Sequence, residues 1–566
     1  MKSMRLVIAL VLAGLVPAQA QITETVAKHH MIAAANPHAA AAGLEMLRAG
    51  GSAVDAAVAT QLVLGLVEPE SSGIGGGAFM LVYDRISRKT TSFDGREMAP
   101  ASATPRMFLG PDGQPRTKSD AIPGGLSVGI PGVIGMLDLA HKKYGKLPWA
   151  RLFQPAIKLA DNGFAVGPKL ARTIAGFRRG ANMPDIKSHF YHADGTPLAE
   201  GEIYKNPEYA QSLRKIAAEG PDGFYKGAIA QAIVNAVQHA PGQTGGMTLG
   251  DLANYRAQER APVCGDYRRY QVCSMGPPSS GGIAVLQILG ALQRFPSSQL
   301  QPGTLSNAHL FAQASKLAYA DRAKYLADPG FVPVPIKGLI DKNYIASRAA
   351  LIDPAKDMGR AEAGNPPSEK HTQLSPQKSP VRHGTSHMTI VDDAGSVVAM
   401  TTSVESVFGA NIMAGGFMLN NTLTDFSFQP VLDGLPVANA PAPGKLPLSA
   451  MSPTIVFNTD RSFLLSVGSP GGPAIIDYVA QTLSGILDGK MSPKDAIAMP
   501  RELNMNGPTQ MENAPGVDKL AAGLTAMGHT VRVSDQEGSG LHGIMKVKGG
   551  YIGAADPRRD GIALGD

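Results

Sequence analysis

Cysteine is nearly absent: 566 residues contain only Cys264 and Cys273. Two sulfurs without nearby histidines do not make a zinc site, and pairing them leaves no thiol nucleophile. Their segment reads as two short strands around a turn, and a disulfide between them is expected in an oxidising compartment. Charge is sparse too, at 17% of residues against 44% hydrophobic, which excludes a disordered chain and describes a large buried core. The formal net charge of +6 is scattered, with no basic stripe and no interleaved aromatics, which excludes a nucleic-acid-binding reading. The 65 glycines and 43 prolines follow no repeating period, so collagen-like and low-complexity architectures fail. Beyond the N-terminus no apolar run approaches a membrane helix in length.

What is present begins with a basic Met1-Lys2-Ser3-Met4-Arg5, an apolar run from Leu6 to Val16, and the small-x-small pattern Ala18-Gln19-Ala20. Residues 1–20 therefore read as a secretory signal peptide, with the mature chain starting near Gln21. The expected location is periplasmic or secreted, with no membrane span after signal removal.

Residues 37–67 carry an alanine-rich helical pattern broken at Gly50-Gly51-Ser52. The second helix, from Ala53, is apolar nearly all round and so predicted to be buried. The glycine-rich turn Ser71 to Gly77 leads into a strand rather than a helix. It also lacks a Gly-Lys-Ser/Thr ending, so close backbone approach explains it better than phosphate binding. Helical patterns dominate from 129 to 275, and another buried helix follows Pro277 to Gly282. The polar stretch 353–382 reads as a flexible linker. Strands then prevail, including Thr454 to Phe457 and Phe463 to Val467, before a helix at 474–483. Strands from both halves between helices predict an α+β fold, a four-layer αββα sandwich built as one unit.

Immediately after the linker stands Gly384-Thr385-Ser386-His387. It opens a strand that turns at Asp393-Ala394-Gly395 and returns through Ser396 to Thr401. A threonine is a weak nucleophile without a base. Its own α-amino group can serve if the chain is cut just before it, because that amine titrates near ~7.7–8.0. His387 lies two residues along the strand, roughly 6–7 Å from Thr385, and is assigned a structural hydrogen-bonding role. His29-His30 has no companion ligands, which argues against a metal there.

Seven blocks together resemble the gamma-glutamyltransferases of the N-terminal nucleophile hydrolase superfamily. They are Glu68-Pro69 with Ser72 to Gly77, Arg96 to Pro100, Pro277 to Gly282, Thr385-Ser386-His387, Leu419-Asn420-Asn421 with Asp425-Phe426-Ser427, Pro447-Leu448-Ser449 with Met451 to Thr454, and Gly468 to Gly472. The resemblance implies self-cleavage between Gly384 and Thr385, giving a large subunit, 21–384, and a small one, 385–566, that associate as a heterodimer. It implies attack by Thr385 on a γ-glutamyl amide and transfer of the acyl group to water or an amine, without a cofactor.

Several further roles follow from the same resemblance. Ser403 would touch the nucleophile, and the amides of Gly471 and Gly472 would hold the oxyanion. Arg96 would clamp the substrate α-carboxylate. Asp425 and Glu405 would take the ammonium, and Ser449 would bond the carboxylate. Thr422 and Ala450 stand at pocket positions where the family often has a glutamine or glutamate and a second serine. Glu405 replaces a common asparagine and is expected to penalise substrates with an extra carboxylate. The segment 429–444, proline-rich and without tyrosine, sits where some members carry a lid. Two alternatives remain at this stage: a related acylase acting on glutaryl-type side chains, and a non-catalytic exported binding protein of the same fold.

Overall fold

The computed structural model describes residues 24–368, 373–377, 384–535 and 538–566. The expected signal peptide and parts of the 353–382 stretch fall outside these. Helices form where the alanine-rich pattern lies. Helix Pro37–Arg48 is capped by the Asn36 side chain, which accepts from the His38 amide, with proline in the first turn. Helix Ala53–Val67 starts with a reciprocal capping box between Ser52 and Asp55, and all of its side chains are buried. Such a cap stabilises by about 1 kcal/mol, and the burial explains why no polar face appears in its sequence.

Two seven-stranded sheets, each antiparallel throughout, form the middle of the molecule. The first runs Ile562–Gly565, Met31–Ala34, Thr385–Val391, Val397–Ser403, Gly77–Asp84, Lys89–Gly95 and Gln258–Arg260. The second runs Thr25–Ala27, Gly550–Ala555, His542–Val547, Phe463–Gly468, Thr454–Phe457, Tyr270–Ser274 and Val263–Tyr267. The C-terminal strand and an N-terminal strand both pair within the first sheet, so the chain's two halves close on one another.

Alternation along the strands assigns the layers. Met388, Ile390, Val398 and Met400 pack into the core formed with helices 37–48, 53–67 and Val133–Tyr144. Val391, Val397 and Ala399 join the other core, with Leu465 and Val467 of the second sheet and the helices Gly281–Leu292, Leu305–Tyr325 and Ile475–Leu487. The result is helix, sheet, sheet, helix, the expected αββα sandwich. Odd positions of strand 385–391 face the second sheet. His387 rests on Gly468, where an added Cβ would come within 2.3 Å of its ring, and Thr389 Oγ1 donates to Ser466 Oγ at 2.5 Å.

Cys264 and Cys273 oppose one another on the edge hairpin of the second sheet and form the disulfide. Among the described residues, no helix is long and apolar enough to cross a membrane.

Candidate active site

Strand register builds the centre of the site. Thr385 pairs with Ser403 across the antiparallel ladder, so their side chains leave the sheet on the same face as neighbours. Thr385 Oγ1 and Ser403 Oγ are 3.0 Å apart. Ser403 Oγ donates to the Gly384 carbonyl at 2.5 Å and accepts the Glu405 amide at 2.8 Å. A hydroxyl has one proton. With that proton on the Gly384 oxygen, the Thr385 hydroxyl is the donor in its contact with Ser403. One serine thus touches both the Thr385 hydroxyl and the Gly384 carbonyl. Gly384 is fitted closely: a Cβ there would stand 2.3 Å from the Glu405 carbonyl oxygen.

The backbone of Thr385 is fixed from the other side, since Arg559 donates to its carbonyl at 3.0 Å and to the carbonyl of Ser539 at 3.1 Å. The neighbouring Ser386, pointing to the helix layer, donates to Glu68 Oε2 at 2.7 Å and accepts from Ser72. Lys169 then bridges Glu68 and Glu70 at 2.9 and 2.6 Å. All three side chains are largely buried. Desolvation raises both carboxyls, and the ammonium counters it; the balance leaves Glu68 below and Glu70 above the ordinary carboxylate range. None of Lys169, Glu70 or Arg559 was singled out by sequence, because each acts through a neighbour on a distant element.

A cavity of about 560 Å³ opens over Thr385. Ser403, Glu405, Arg96, Asp425, Ser449, Ala450 and Gly472 line it, as the sequence reading required. Arg96 is buried and donates to Asp425 at 2.6 Å, Glu97 at 3.3 Å and the carbonyls of Pro447 and Leu448 at 3.1 and 3.2 Å. The two side chains expected to take opposite ends of a substrate zwitterion are therefore paired with one another. The backbone of Ser449 is held by the Pro277–Gly282 loop: its amide donates to Pro278, and its carbonyl accepts from the Ser280 amide and hydroxyl. That contact explains why a sequence block so distant from Thr385 belongs to the site.

Gly471 and Gly472 form the turn into helix Ile475–Leu487, with φ of 133° and 58°. Only glycine suits the first of these, where a Cβ would also meet the Tyr478 ring at 2.6 Å. Among the described residues neither amide is spent on a hydrogen bond. Gly472 borders the cavity and Gly471 stands one residue behind it.

One expectation needs correction. Thr422 does not reach the cavity; its hydroxyl donates to Glu97 Oε1 at 2.6 Å, and it is fully buried. The short 3₁₀ turn Thr422–Asp425 sends Thr422 inward and Asp425 outward. Thr422 therefore supports Glu97, which in turn contacts Arg96. Glu405 does line the cavity, but it accepts from Ser406 Oγ at 2.6 Å and from Asn421 Nδ2. Its charge is also outweighed: Arg96, Arg116, Lys118, Arg322 and Arg360 line the same cavity, against Glu405, Asp425 and Asp433 among the described residues. Five cationic and three acidic side chains thus line the cavity among the described residues. Arg322, buried and donating to Ser280 Oγ at 2.8 Å, was missed because its helix, Leu305–Tyr325, shows no polar face in the sequence.

The proline-rich segment does border the opening. Its hairpin, Val431–Leu432 with Leu435–Pro436, places Leu432 and Asp433 at the cavity. His387 stays out of it: fully buried, its Nδ1 is hydrogen-bonded to Thr401 Oγ1 at 2.9 Å, and burial holds its pKa well below the usual histidine value.

A threonine opening a central strand of an αββα sandwich, with a glycine turn at a helix start bordering the same cavity, defines an N-terminal nucleophile hydrolase. The comparisons narrow this. The family model for gamma-glutamyltranspeptidase matches residues 39–566, and the chain belongs to that family. It is 39% identical over 551 residues to a glutathione hydrolase proenzyme of Bacillus subtilis (strain 168), covering 95% of this chain and 92% of the relative. It is equally 39% identical over 548 residues to the glutathione hydrolase proenzyme of Escherichia coli (strain K12), covering 94% and 91%. Among solved structures, the cephalosporin acylase from Bacillus halodurans superposes with a TM-score of 0.84 at 27% identity, covering 99% of both chains.

Proposed function

We propose that this chain is an autoprocessing γ-glutamyltransferase whose Thr385 first cuts its own precursor and then carries the γ-glutamyl group. In the first reaction Thr385 Oγ attacks the Gly384 carbonyl carbon, and Ser403 bonds the developing oxyanion. The Gly384–Thr385 C–N bond breaks as its nitrogen takes the proton. Water then hydrolyses the resulting ester, leaving a Gly384 carboxylate and a free Thr385 amine. The products are a 21–384 subunit and a 385–566 subunit, held together by the shared sheets.

In the second reaction the freed amine takes the Thr385 hydroxyl proton as Oγ attacks the γ-carbonyl of glutathione or a related donor. The amides of Gly471 and Gly472 receive the oxyanion. Arg96 and Ser449 hold the α-carboxylate and Asp425 the α-ammonium, so the substrate zwitterion replaces the Arg96–Asp425 contact with two of its own. Water or an amino-acid or peptide amine completes the cycle. The expected setting is the periplasm or the exterior.

The observation that supports this reading most is the position of Ser403, in hydrogen-bond contact with both Thr385 Oγ1 and the Gly384 oxygen. Denaturing electrophoresis of the purified protein tests it: two bands from the wild type and one from Thr385→Ala are expected. A wild type that stays a single chain, with no acyl adduct on Thr385 by mass spectrometry after donor is added, rules the reading out.

The excess of cationic side chains on the cavity wall favours a second reading, an acylase for glutaryl-type donors, and the structural similarity to a cephalosporin acylase supports an acylase reading. A glutaryl group has no ammonium for Asp425 to bind. Asp425→Asn should therefore depress hydrolysis of γ-glutamyl-p-nitroanilide and spare glutaryl-p-nitroanilide. The second reading gains if the wild type prefers the glutaryl compound.

A further inference from the structure

The residues proposed to hold the two charges of the substrate are joined behind the cavity as well as across it. From the cavity side, Arg96 donates to the Asp425 carboxylate at 2.6 Å and to the Leu448 carbonyl at 3.2 Å. From behind, Asn439 reaches the same two residues. Its Nδ2 donates to the Asp425 carbonyl at 2.8 Å, and its Oδ1 accepts the Leu448 amide at 3.0 Å. A carbonyl on one side and an N–H on the other fix which way this amide points. The Asn439 carbonyl accepts the Ser427 amide at 2.9 Å, a third tie to the block that carries Asp425. Asn439 is itself gripped on both flanks: Lys445 Nζ donates to the carbonyls of Ala438 and Ala440 at 2.7 and 2.9 Å. Asn439 and Lys445 are buried, and neither lines the cavity.

The consequence rests on the γ-glutamyl reading of the site. When a substrate zwitterion parts Asp425 from Arg96, the link through Asn439 stays closed. We propose that Asn439, locked by Lys445, is a positioning residue that sets the separation between the ammonium site on Asp425 and the carboxylate site on Arg96 and Ser449. Asparagine suits this place because aspartate lacks the donor and alanine lacks both groups. The charges of an α-amino acid stand at a fixed distance from one another. A donor that carries both therefore feels the separation, and a donor that carries one does not.

Kinetics of the mature enzyme with two donors provide the test. γ-Glutamyl-p-nitroanilide carries both α-groups, and glutaryl-p-nitroanilide carries the carboxylate alone. In Asn439→Ala the KM for the γ-glutamyl donor should rise at least about tenfold, within the ~10²-fold that a displacement of about 1 Å can cost. Its kcat should fall less than about threefold, because the lost contacts are made equally in the ground and transition states. The ratio of kcat/KM for the γ-glutamyl donor to that for the glutaryl donor should drop at least about fivefold. Lys445→Met should lower the same ratio to a smaller degree. Lys445→Arg, which can still donate to both carbonyls, should restore it. These two variants decide the matter if Asn439→Ala fails to fold. Folding is read from self-cleavage, with two bands expected from each variant on denaturing electrophoresis. A wild-type ratio in a self-cleaved Asn439→Ala overturns the proposal. So does an equal loss for both donors, which would make Asn439 a structural residue only. Turnover of neither donor by the wild type overturns the γ-glutamyl reading itself, and this proposal with it.

Discussion

The two faces of strand Thr385–Val391 are both polar where the strand begins, for different reasons. On the face toward the second sheet, Thr385 meets Ser403 at the wall of an open cavity, and the contacts are short hydroxyl bonds that can exchange protons. On the face toward the helices, Ser386 is tied to Glu68, and Glu68 to Lys169, in a charged cluster closed off from the cavity. One face is arranged to react and the other to stay still. The proposed self-cleavage by Thr385 would need both: freedom at Oγ and none at the carbonyl, which Arg559 also holds.

Variants on the two faces should therefore fail differently. The largest effect is expected from Lys169→Met, which leaves two buried carboxylates without their cation. Breaking a buried ion pair costs about 3–5 kcal/mol, so the urea midpoint of the mature enzyme should fall sharply. Next comes Ser403→Ala, which removes the hydroxyl from both Thr385 and the Gly384 oxygen. Loss of one preorganised oxyanion donor costs ~10²–10³ in rate, so self-cleavage followed by electrophoresis should slow by that factor while the urea midpoint barely moves. If Lys169→Met slowed cleavage without destabilising, or Ser403→Ala destabilised without slowing it, the division between the faces would be wrong.

Much of this site was legible in sequence because its parts are short blocks whose backbones do the positioning. Gly472 of the glycine turn and Arg96 and Ser449 of their blocks line one cavity with Thr385. The strand alternation that places Ser403 opposite Thr385 follows from a hairpin whose turn was recognisable. The errors are errors of direction. Thr422 and Asp425 share a block, yet a 3₁₀ turn points one at Glu97 and the other at the cavity, and block membership does not carry that information. Lys169 and Arg322 come from helices that show no relation to Thr385 until the layers are stacked. Glu405 had its charge read correctly, and the cations that outweigh it come from segments as far apart as Arg116 and Arg360.

Titration separates the faces again, at smaller magnitude. His387 is enclosed between the sheets with a pKa far below its unfolded value, chiefly through desolvation, with His542 adding repulsion. Burial likewise lowers His542 to about 4. As pH falls below the unfolded histidine value near 6.5, the unfolded chain binds these protons and the folded chain does not, so stability falls with pH until the folded pKa is reached. Each such histidine steepens the slope by up to ~1.4 kcal/mol per pH unit. His387→Gln should remove one histidine's share of the slope between about pH 6 and 4.5, read as urea stability against pH. An unchanged slope would mean that His387 is protonated in the folded state.

The smallest effect tests the backbone next to Ser403. Glu405 sits at φ 83°, a left-handed conformation that costs a residue with an ordinary Cβ about 1–2 kcal/mol and that asparagine tolerates better. Its amide nevertheless points at Ser403 Oγ, and its carbonyl passes within reach of Gly384, so this conformation goes with the close packing around Ser403 and Gly384. The strain thus lies on the face of Thr385, beside the serine proposed to serve both reactions. Glu405→Asn keeps a side-chain acceptor for Ser406 and Asn421 and relieves the backbone. A gain of up to about 1 kcal/mol in the urea midpoint is expected, with self-cleavage retained. A loss of stability instead would show that the carboxylate charge, held by Ser406 and Asn421, contributes more than the backbone strain costs.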